Sequence, residues 1–228
     1  MPTLRDAVSW CSTSLLGLRH ALTPLGEETQ YQYKLPPFVP GLKVGLFGGS
    51  FNPPHEGHRA ASLLALRRLK LDRIWWLVTP NNPLKDAREL APLALRIEAA
   101  RKVANHPRIE VTGIEAATGA TYSFETISYL KKRCPGVRFV WIMGADNFRY
   151  FERWQRWREI AKLVPLAIID RPGFTLKALH GRAALTMARF RYDESDARVL
   201  ATAAPPAFVF LHGPRSPQSS TELRGRVH

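Results

Sequence analysis

The sequence predicts an α/β protein built on a Rossmann-like, doubly wound parallel sheet. Short apolar runs, such as residues 74–78 and 139–143, alternate along the chain with segments whose apolar residues fall at helical spacing. Glycines stand at the end of an earlier run, residues 44–47, at Gly48 and Gly49, and a helical segment follows. A strand covered on both faces has no polar side, so it reads as an unbroken apolar run. Alternating such strands with helices builds a parallel sheet that binds ligands beyond the carboxyl ends of its strands.

The elements follow in order. Residues 1–40 are expected to be an N-terminal extension. A possible amphipathic helix between Leu4 and Leu22 leads into a polar stretch and then Pro36, Pro37 and Pro40, which resist helix and central strand alike and so form a linker. This extension is expected to be docked or disordered and to carry no catalytic duty. Residues 41–228 are expected to form one catalytic domain. Within it, residues 44–47 are a first strand, and 58–69 a helix with Ala61, Leu64, Ala65 and Leu69 on one face. Residues 74–78 are a second strand, rich in aromatic and β-branched residues; 93–103 are helical, 109–111 strand-like and 124–132 helical. Residues 139–143 and 166–169 are further strands, 175–189 a helix, and 208–211 a sixth strand.

Composition narrows the class of partner. The 228 residues hold 33 Lys and Arg against 19 Asp and Glu, a formal net charge of +14, which attracts nucleic acid, an anionic membrane surface or small phosphorylated ligands. No apolar run approaches the ~20 residues needed to span a bilayer. The first residues, with Arg5, Asp6 and a Ser-rich stretch, are too polar for a secretory segment. Cys11 and Cys134 stand alone, without metal-ligand or disulfide spacing, which suits a reducing cytoplasm.

The chemistry is concentrated after the first strand, in Gly48-Gly49-Ser50-Phe51-Asn52-Pro53-Pro54-His55-Glu56-Gly57-His58. Glycines there let the backbone turn sharply and expose N–H groups, and the next helix presents its positive end to a phosphate. His55 and His58, three apart at the start of that helix, share a face, so both imidazoles can point at one phosphate. A zinc reading of this pair is poorer, because the usual helical zinc pair is spaced four apart with a Glu between. No third ligand cluster accompanies it, and no metal site is expected. Taken singly, the glycines could be a plain strand-to-helix turn and each histidine a surface residue.

These eleven positions resemble the signature of the nucleotidylyltransferase superfamily with the His-x-Gly-His motif. More narrowly, Ser-Phe-Asn-Pro-Pro is similar to the bacterial nicotinate-nucleotide adenylyltransferase branch. Other branches have Gly-Thr-Phe-Asp with one proline or none. Further landmarks resemble that family in order between Gly41 and Arg224. Asn82-Pro83-Leu84-Lys85 falls where the family has a mobile substrate loop. Thr121-Tyr122-Ser123 differs from the family's Ser-Tyr-Thr by two hydroxyl-preserving exchanges. Gly144-Ala145-Asp146 ends the 139–143 strand, and Trp154 and Trp157 follow. Arg171-Pro172-Gly173 ends the next, and Ser219-Ser220-Thr221-Glu222-Leu223-Arg224 resembles the C-terminal Ser-Ser-Thr-x-Ile-Arg, with Leu for Ile.

The resemblance implies transfer of the adenylyl group of ATP to nicotinate mononucleotide, giving nicotinate adenine dinucleotide and pyrophosphate. The acceptor phosphate is already ionised at neutral pH, so no general base is needed; catalysis rests on positioning and charge stabilisation. His55 and His58 are then the catalytic donors to the ATP phosphates. Gly48, Gly49, Ser50 and Phe51 contact those phosphates through the backbone, and Ser220, Thr221 and Arg224 hold the β- and γ-phosphates. Gly144 and Asp146 lie at the ribose, and Arg171 near the adenine or phosphates. On the acceptor side stand Asn52, Lys85, Tyr122, Ser123 and Trp154, the last stacking on the nicotinate ring. Plainer roles compete: Asp146 or the Ser-Ser-Thr triplet as helix caps, Lys85 as a solvated charge, and Trp154 with Trp157 as core. Mg2+ is expected to arrive with ATP, held by phosphate oxygens and waters. A monomer or small homo-oligomer is expected, with no nucleic-acid or membrane partner. Two alternatives remain: the same transfer to nicotinamide mononucleotide, and a basic nucleic-acid-binding module with a degenerate motif. Against the module stand the intact histidines, glycines and C-terminal Arg, and the absence of an aromatic RNA-binding strand or helix-turn-helix pattern.

Overall fold

A computed structural model describes residues 32–81, 90–170 and 178–213. Seven strands form one sheet: β1 (Lys43–Gly49), β2 (Arg73–Val78), β3 (Ile109–Thr112), β4 (Arg138–Gly144), β5 (Leu166–Ile169), β6 (Arg191–Tyr192) and β7 (Phe208–Leu211). Their order is β3-β2-β1-β4-β5-β7-β6, and every neighbouring pair is parallel. The expected strands are all present. β6 was not anticipated, because two residues at a sheet edge leave no apolar run to recognise.

The unbroken apolar runs have the expected cause. Trp75 and Leu77 of β2, with Phe139, Trp141 and Met143 of β4, enter one core, while Ile74, Trp76 and Val78, with Val140 and Ile142, enter the other. Each strand therefore buries successive side chains on opposite faces. Trp75 and Trp76 are both fully buried, one per face, and large side chains of this kind each contribute about 1.5–3 kcal/mol on burial.

Helices cover the two faces. α1 (Glu56–Arg68) and α2 (Leu93–Ala104) bury Leu64, Leu66, Ile97 and Ala100 on the second core, together with Leu200 from the 3-10 segment Glu194–Thr202. On the first core lie α3 (Ile114–Thr118), α4 (Ser123–Arg133), α5 (Ala145–Phe148), α6 (Trp157–Leu163) and α7 (Arg182–Met187). The short α3, α5 and α6 were not foreseen, since four to seven residues are too few to show a helical period. The helix expected over residues 175–189 is shorter in its described part. Gly181 caps α7, and the chain passes into a 3-10 turn at Ala188–Phe190. A side chain at 181 would meet the carbonyls of Ala178 and Arg149 at 3.2 Å, so the residue there must be small.

Residues 32–40, assigned to the linker, are held on the domain. Gln32 C=O accepts from Gly113 N–H (2.8 Å), Lys34 C=O accepts from Thr112 Oγ1 (2.7 Å), and Leu35 and Phe38 pack on the first core. The expected Leu4 to Leu22 helix lies outside the described residues, as does Cys11. Cys134 is buried and free, and burial pushes its thiol up to about 11.

The sheet winds outward in both directions from β1, whose neighbours are β2 and β4. That reversal opens a crevice at the carboxyl ends of β1 and β4, where α/β sheets bind their ligands.

Candidate active site

At this crevice β1 ends in Gly48 and Gly49. A Cβ on Gly48 would stand 2.8 Å from Cη2 of the buried Trp141 on β4, so glycine here lets the indole lie flat against the strand. Gly48→Ala should displace Trp141 and cost about 1–3 kcal/mol of stability, read as a fall in the urea midpoint. The chain then passes through Ser50 to Phe51, whose φ of 47° lies in the left-handed region. A non-glycine residue there costs about 1–3 kcal/mol and needs its surroundings to hold it. Its ring stacks on Trp76 at 4.8 Å and lies 4.9 Å from His58.

Arg96 fixes the same loop from behind. This arginine of α2 is only 3% exposed, and its guanidinium donates to four carbonyls: Ser50 (2.7 Å), Ala91 (2.7 Å), Thr79 (2.8 Å) and Pro80 (3.0 Å). It thereby ties the turn after β1 to the turn after β2. Burial lowers its pKa. Its role escaped the sequence reading. The available signal was its place beside Ile97 and Ala100 on the buried face of an amphipathic helix, where a charged residue needs partners.

His55 is the N-cap of α1 and His58 its third residue. Their rings lie 3.8 Å apart, and both residues are buried. His58 Nδ1 accepts the His55 backbone N–H at 3.2 Å. A nitrogen that accepts carries no proton, so the neutral His58 ring holds its proton on Nε2, leaving that nitrogen as a donor. Behind the ring, Trp76 Nε1 donates to Ser62 Oγ (2.8 Å), which donates to the His58 carbonyl (2.9 Å).

A cavity of about 510 Å³ adjoins the loop. Gly48, Gly49 and Ser50 line it together with Tyr122, Ser123 and Trp154. Six expected site residues are thus brought to one space. His55, His58, Phe51, Asn52, Gly144 and Asp146 are outside its lining. Asn52 Oδ1 accepts from Ala91 N–H (3.3 Å), and Asp146 is the second residue of α5, whose N-cap is Gly144. Asp146 is therefore not itself a helix cap. The two tryptophans also part company. Trp157 is buried core, whereas Trp154 is half-buried at the cavity wall, held edge-on by Trp141 (6.2 Å) and Phe151 (5.4 Å). Lys85, Arg171, Ser220, Thr221 and Arg224 lie outside the described residues.

The N-terminus of α4 opens on the cavity through Thr121, Tyr122 and Ser123. The Glu125 carboxylate accepts the N–H groups of Thr121 (2.9 Å) and Tyr122 (3.1 Å), and these bonds lower its pKa. Thr79, Asn81, Glu115, Trp141, Asn147 and Arg153 also line the cavity and were not singled out from the sequence. Glu115 is 7% exposed, and burial raises its pKa despite a hydrogen bond from the Thr126 side chain.

A family model described as cytidylyltransferase-like matches residues 46–226, and so contains the loop, both histidines and the cavity. The chain belongs to the cytidylyltransferase-like family. Among relatives in that family, a probable nicotinate-nucleotide adenylyltransferase of Brucella abortus is 57% identical over 183 residues, covering 80% of this chain and 94% of its own. One of Methylorubrum extorquens is 56% identical over 185 residues, covering 81% and 100%. A solved structure of Plasmodium falciparum nicotinic acid mononucleotide adenylyltransferase complexed with NaAD shares the fold, with a TM-score of 0.58 at 18% identity, covering 80% of this chain and 82% of that one.

No group of three or more His, Cys, Asp or Glu that could hold a metal ion occurs among the described residues of this family member. The loop offers imidazoles and backbone N–H groups, which suit phosphate oxygens rather than a bare cation. A magnesium ion carried on a nucleotide fits this donor set, as part of the substrate. No helix among the described residues is long and apolar enough to cross a membrane.

Proposed function

We propose that the chain transfers the adenylyl group of ATP, bound as its magnesium complex, to nicotinate mononucleotide. A phosphate oxygen of the mononucleotide forms a bond to the α-phosphorus of ATP as the bond to the β-phosphate bridging oxygen breaks. Nicotinate adenine dinucleotide and pyrophosphate leave. The observation that carries this reading is the joint lining of the cavity by the Gly48–Ser50 turn and the aromatic wall at Trp154. One short loop thus serves both a site for phosphates and a pocket for a flat ring.

His58 would donate from Nε2 to an α-phosphate oxygen, with His55 beside it, so that charge developing in the transition state meets donors already in position. The backbone of Gly48 to Phe51 would cradle the phosphates, with Ser220, Thr221 and Arg224 on the β- and γ-phosphates, and Gly144, Asp146 and Arg171 toward the nucleoside. Trp154 would stack on the pyridine ring, with Tyr122 and Ser123 at its carboxylate, where the positive end of the 11-residue α4 favours an anion. Asn52 and Lys85 would complete the acceptor side. The names of relatives above 50% identity support the acid mononucleotide as acceptor.

The test is pyrophosphate release from ATP with nicotinate mononucleotide and nicotinamide mononucleotide in turn. Turnover strongly favouring the acid is expected, and release with neither acceptor would remove the reading. Trp154→Ala should raise the acceptor KM about 10- to 100-fold, the worth of one base–aromatic stack. The KM for ATP should change little, and so should the melting temperature, because the ring is only half-buried.

A further inference from the structure

The cavity draws part of its lining from two segments on the first core: Thr121, Tyr122 and Ser123 at the start of α4, and Trp154 and Gln155 just before α6. Side-chain contacts join the two helices at both ends. At the far end Lys131 Nζ, in the last turn of α4, donates to the carbonyl of Leu163, the last residue of α6 (2.7 Å). At the cavity end the Arg156 guanidinium lies over the Phe124 ring, 3.7 Å from its centroid. Phe124 directly follows Ser123, and Arg156 stands two residues after Trp154. Arg156 also holds an unfavourable backbone. It is the N-cap of α6, with φ 55° and ψ 36° in the left-handed region, where a residue with a Cβ is strained and glycine is not. Its ion pair with Glu159 at 3.5 Å is about half-exposed on both sides and offsets little of that strain. The stack on Phe124 is what arginine supplies here and glycine cannot.

From this pairing we infer that Arg156 is a positioning residue for the acceptor: its stack on Phe124 locks the Trp154–Gln155 part of the cavity wall to the Tyr122–Ser123 part. The inference rests on the acceptor proposed above. A flat ring that stacks on Trp154 while its carboxylate meets the start of α4 touches both segments at once. Its affinity therefore depends on their spacing, and a spacing fixed by the protein spares the ligand the cost of ordering it. Arginine suits the task, because a planar guanidinium lies flat on an aromatic face as a compact ammonium does not. The phosphate side of the site is held by other means. Arg96 fixes the Ser50 carbonyl, and Phe51 and Trp76 pack on the His58 ring, so ATP does not depend on this clamp. Sequence alone conceals the pair, because Phe124 and Arg156 open different helices.

Arg156→Gly is the informative variant, because it removes the clamp and the backbone strain together. Its melting temperature should stay within about 4 °C of wild type. The KM for nicotinate mononucleotide should rise about three- to tenfold, the worth of one cation–aromatic contact. The kcat and the KM for ATP should move less than about twofold, as when ground-state binding of one substrate is lost. Phe124→Leu should give the same pattern from the other side. The double variant should be no weaker than the poorer single, since both changes break one contact, whereas losses from a loosened backbone at glycine would add. Calorimetric titration with nicotinate mononucleotide should show a fall in affinity of similar size without any turnover. An unchanged acceptor KM in Arg156→Gly, an equal rise for ATP, a melting temperature lowered beyond that range, or additive losses in the double variant would each overturn the inference while leaving the transferase reading intact. Absence of pyrophosphate release by wild type with either mononucleotide would instead remove that reading, and this one with it.

Discussion

His58→Ala should lower kcat for pyrophosphate release about 10²-fold or more, the cost of removing one donor aimed at a developing oxyanion. The loss follows from how the ring is held. Nδ1 is occupied by the His55 N–H, which commits the proton to Nε2, and the contacts with Phe51 and Trp76 keep the ring from turning. Alanine also strands the His55 amide, so a stability cost of about 1–3 kcal/mol accompanies the kinetic one. His58→Asn separates the two effects. Its side-chain oxygen can accept from the His55 amide in place of Nδ1, while the donor at the Nε2 position is gone. The asparagine variant should therefore melt near wild type and still lose most of its turnover. A variant that retains near-normal kcat would take His58 out of the mechanism.

The largest effect on stability is expected at Arg96, not in the apolar core. Arg96→Leu strips the bonds from the carbonyls of Ser50, Thr79, Pro80 and Ala91 in a site closed to water. The cost should be about 3–5 kcal/mol, as for other breaks in buried charged networks, and appear as a fall of about 10 °C or more in the melting temperature. Arg96→Lys should recover only part of this, since one ammonium has three donors and no planar fork to span four acceptors. Because the same guanidinium joins the turns after β1 and β2, activity should fall in both variants beyond what the loss of folded protein explains.

What was legible in the sequence follows the physics of each element. Strands buried on two faces announce themselves, so β1, β2, β4, β5 and β7 could be read directly, while the edge strand β3 is only partly buried in its middle and showed as a short β-branched run. The Gly48 to His58 turn was legible because its chemistry is local, with glycines, prolines and a spaced histidine pair all within one loop. Trp154 and Trp157 were not separable, because three residues apart on the chain does not say which ring meets a cavity. For Asp146, expected at the ribose, a helix cap was the competing role, and Gly144 holds that position. Arg96 and Glu115 stayed hidden for a different reason. Three of the four carbonyls that Arg96 meets come from turns 16 to 46 residues away, and the hydroxyl that Glu115 meets is Thr126, on the next helix, α4.

The most direct measurement is a crystal structure of the protein with a non-hydrolysable ATP analogue and magnesium. The α-phosphate should lie within hydrogen-bond distance of His58 Nε2 and of backbone N–H groups in the Gly48 to Phe51 turn, with the open side of the phosphorus facing the Trp154 cavity. A nucleotide seated elsewhere, or one whose α-phosphate turns away from both imidazoles, would contradict the account.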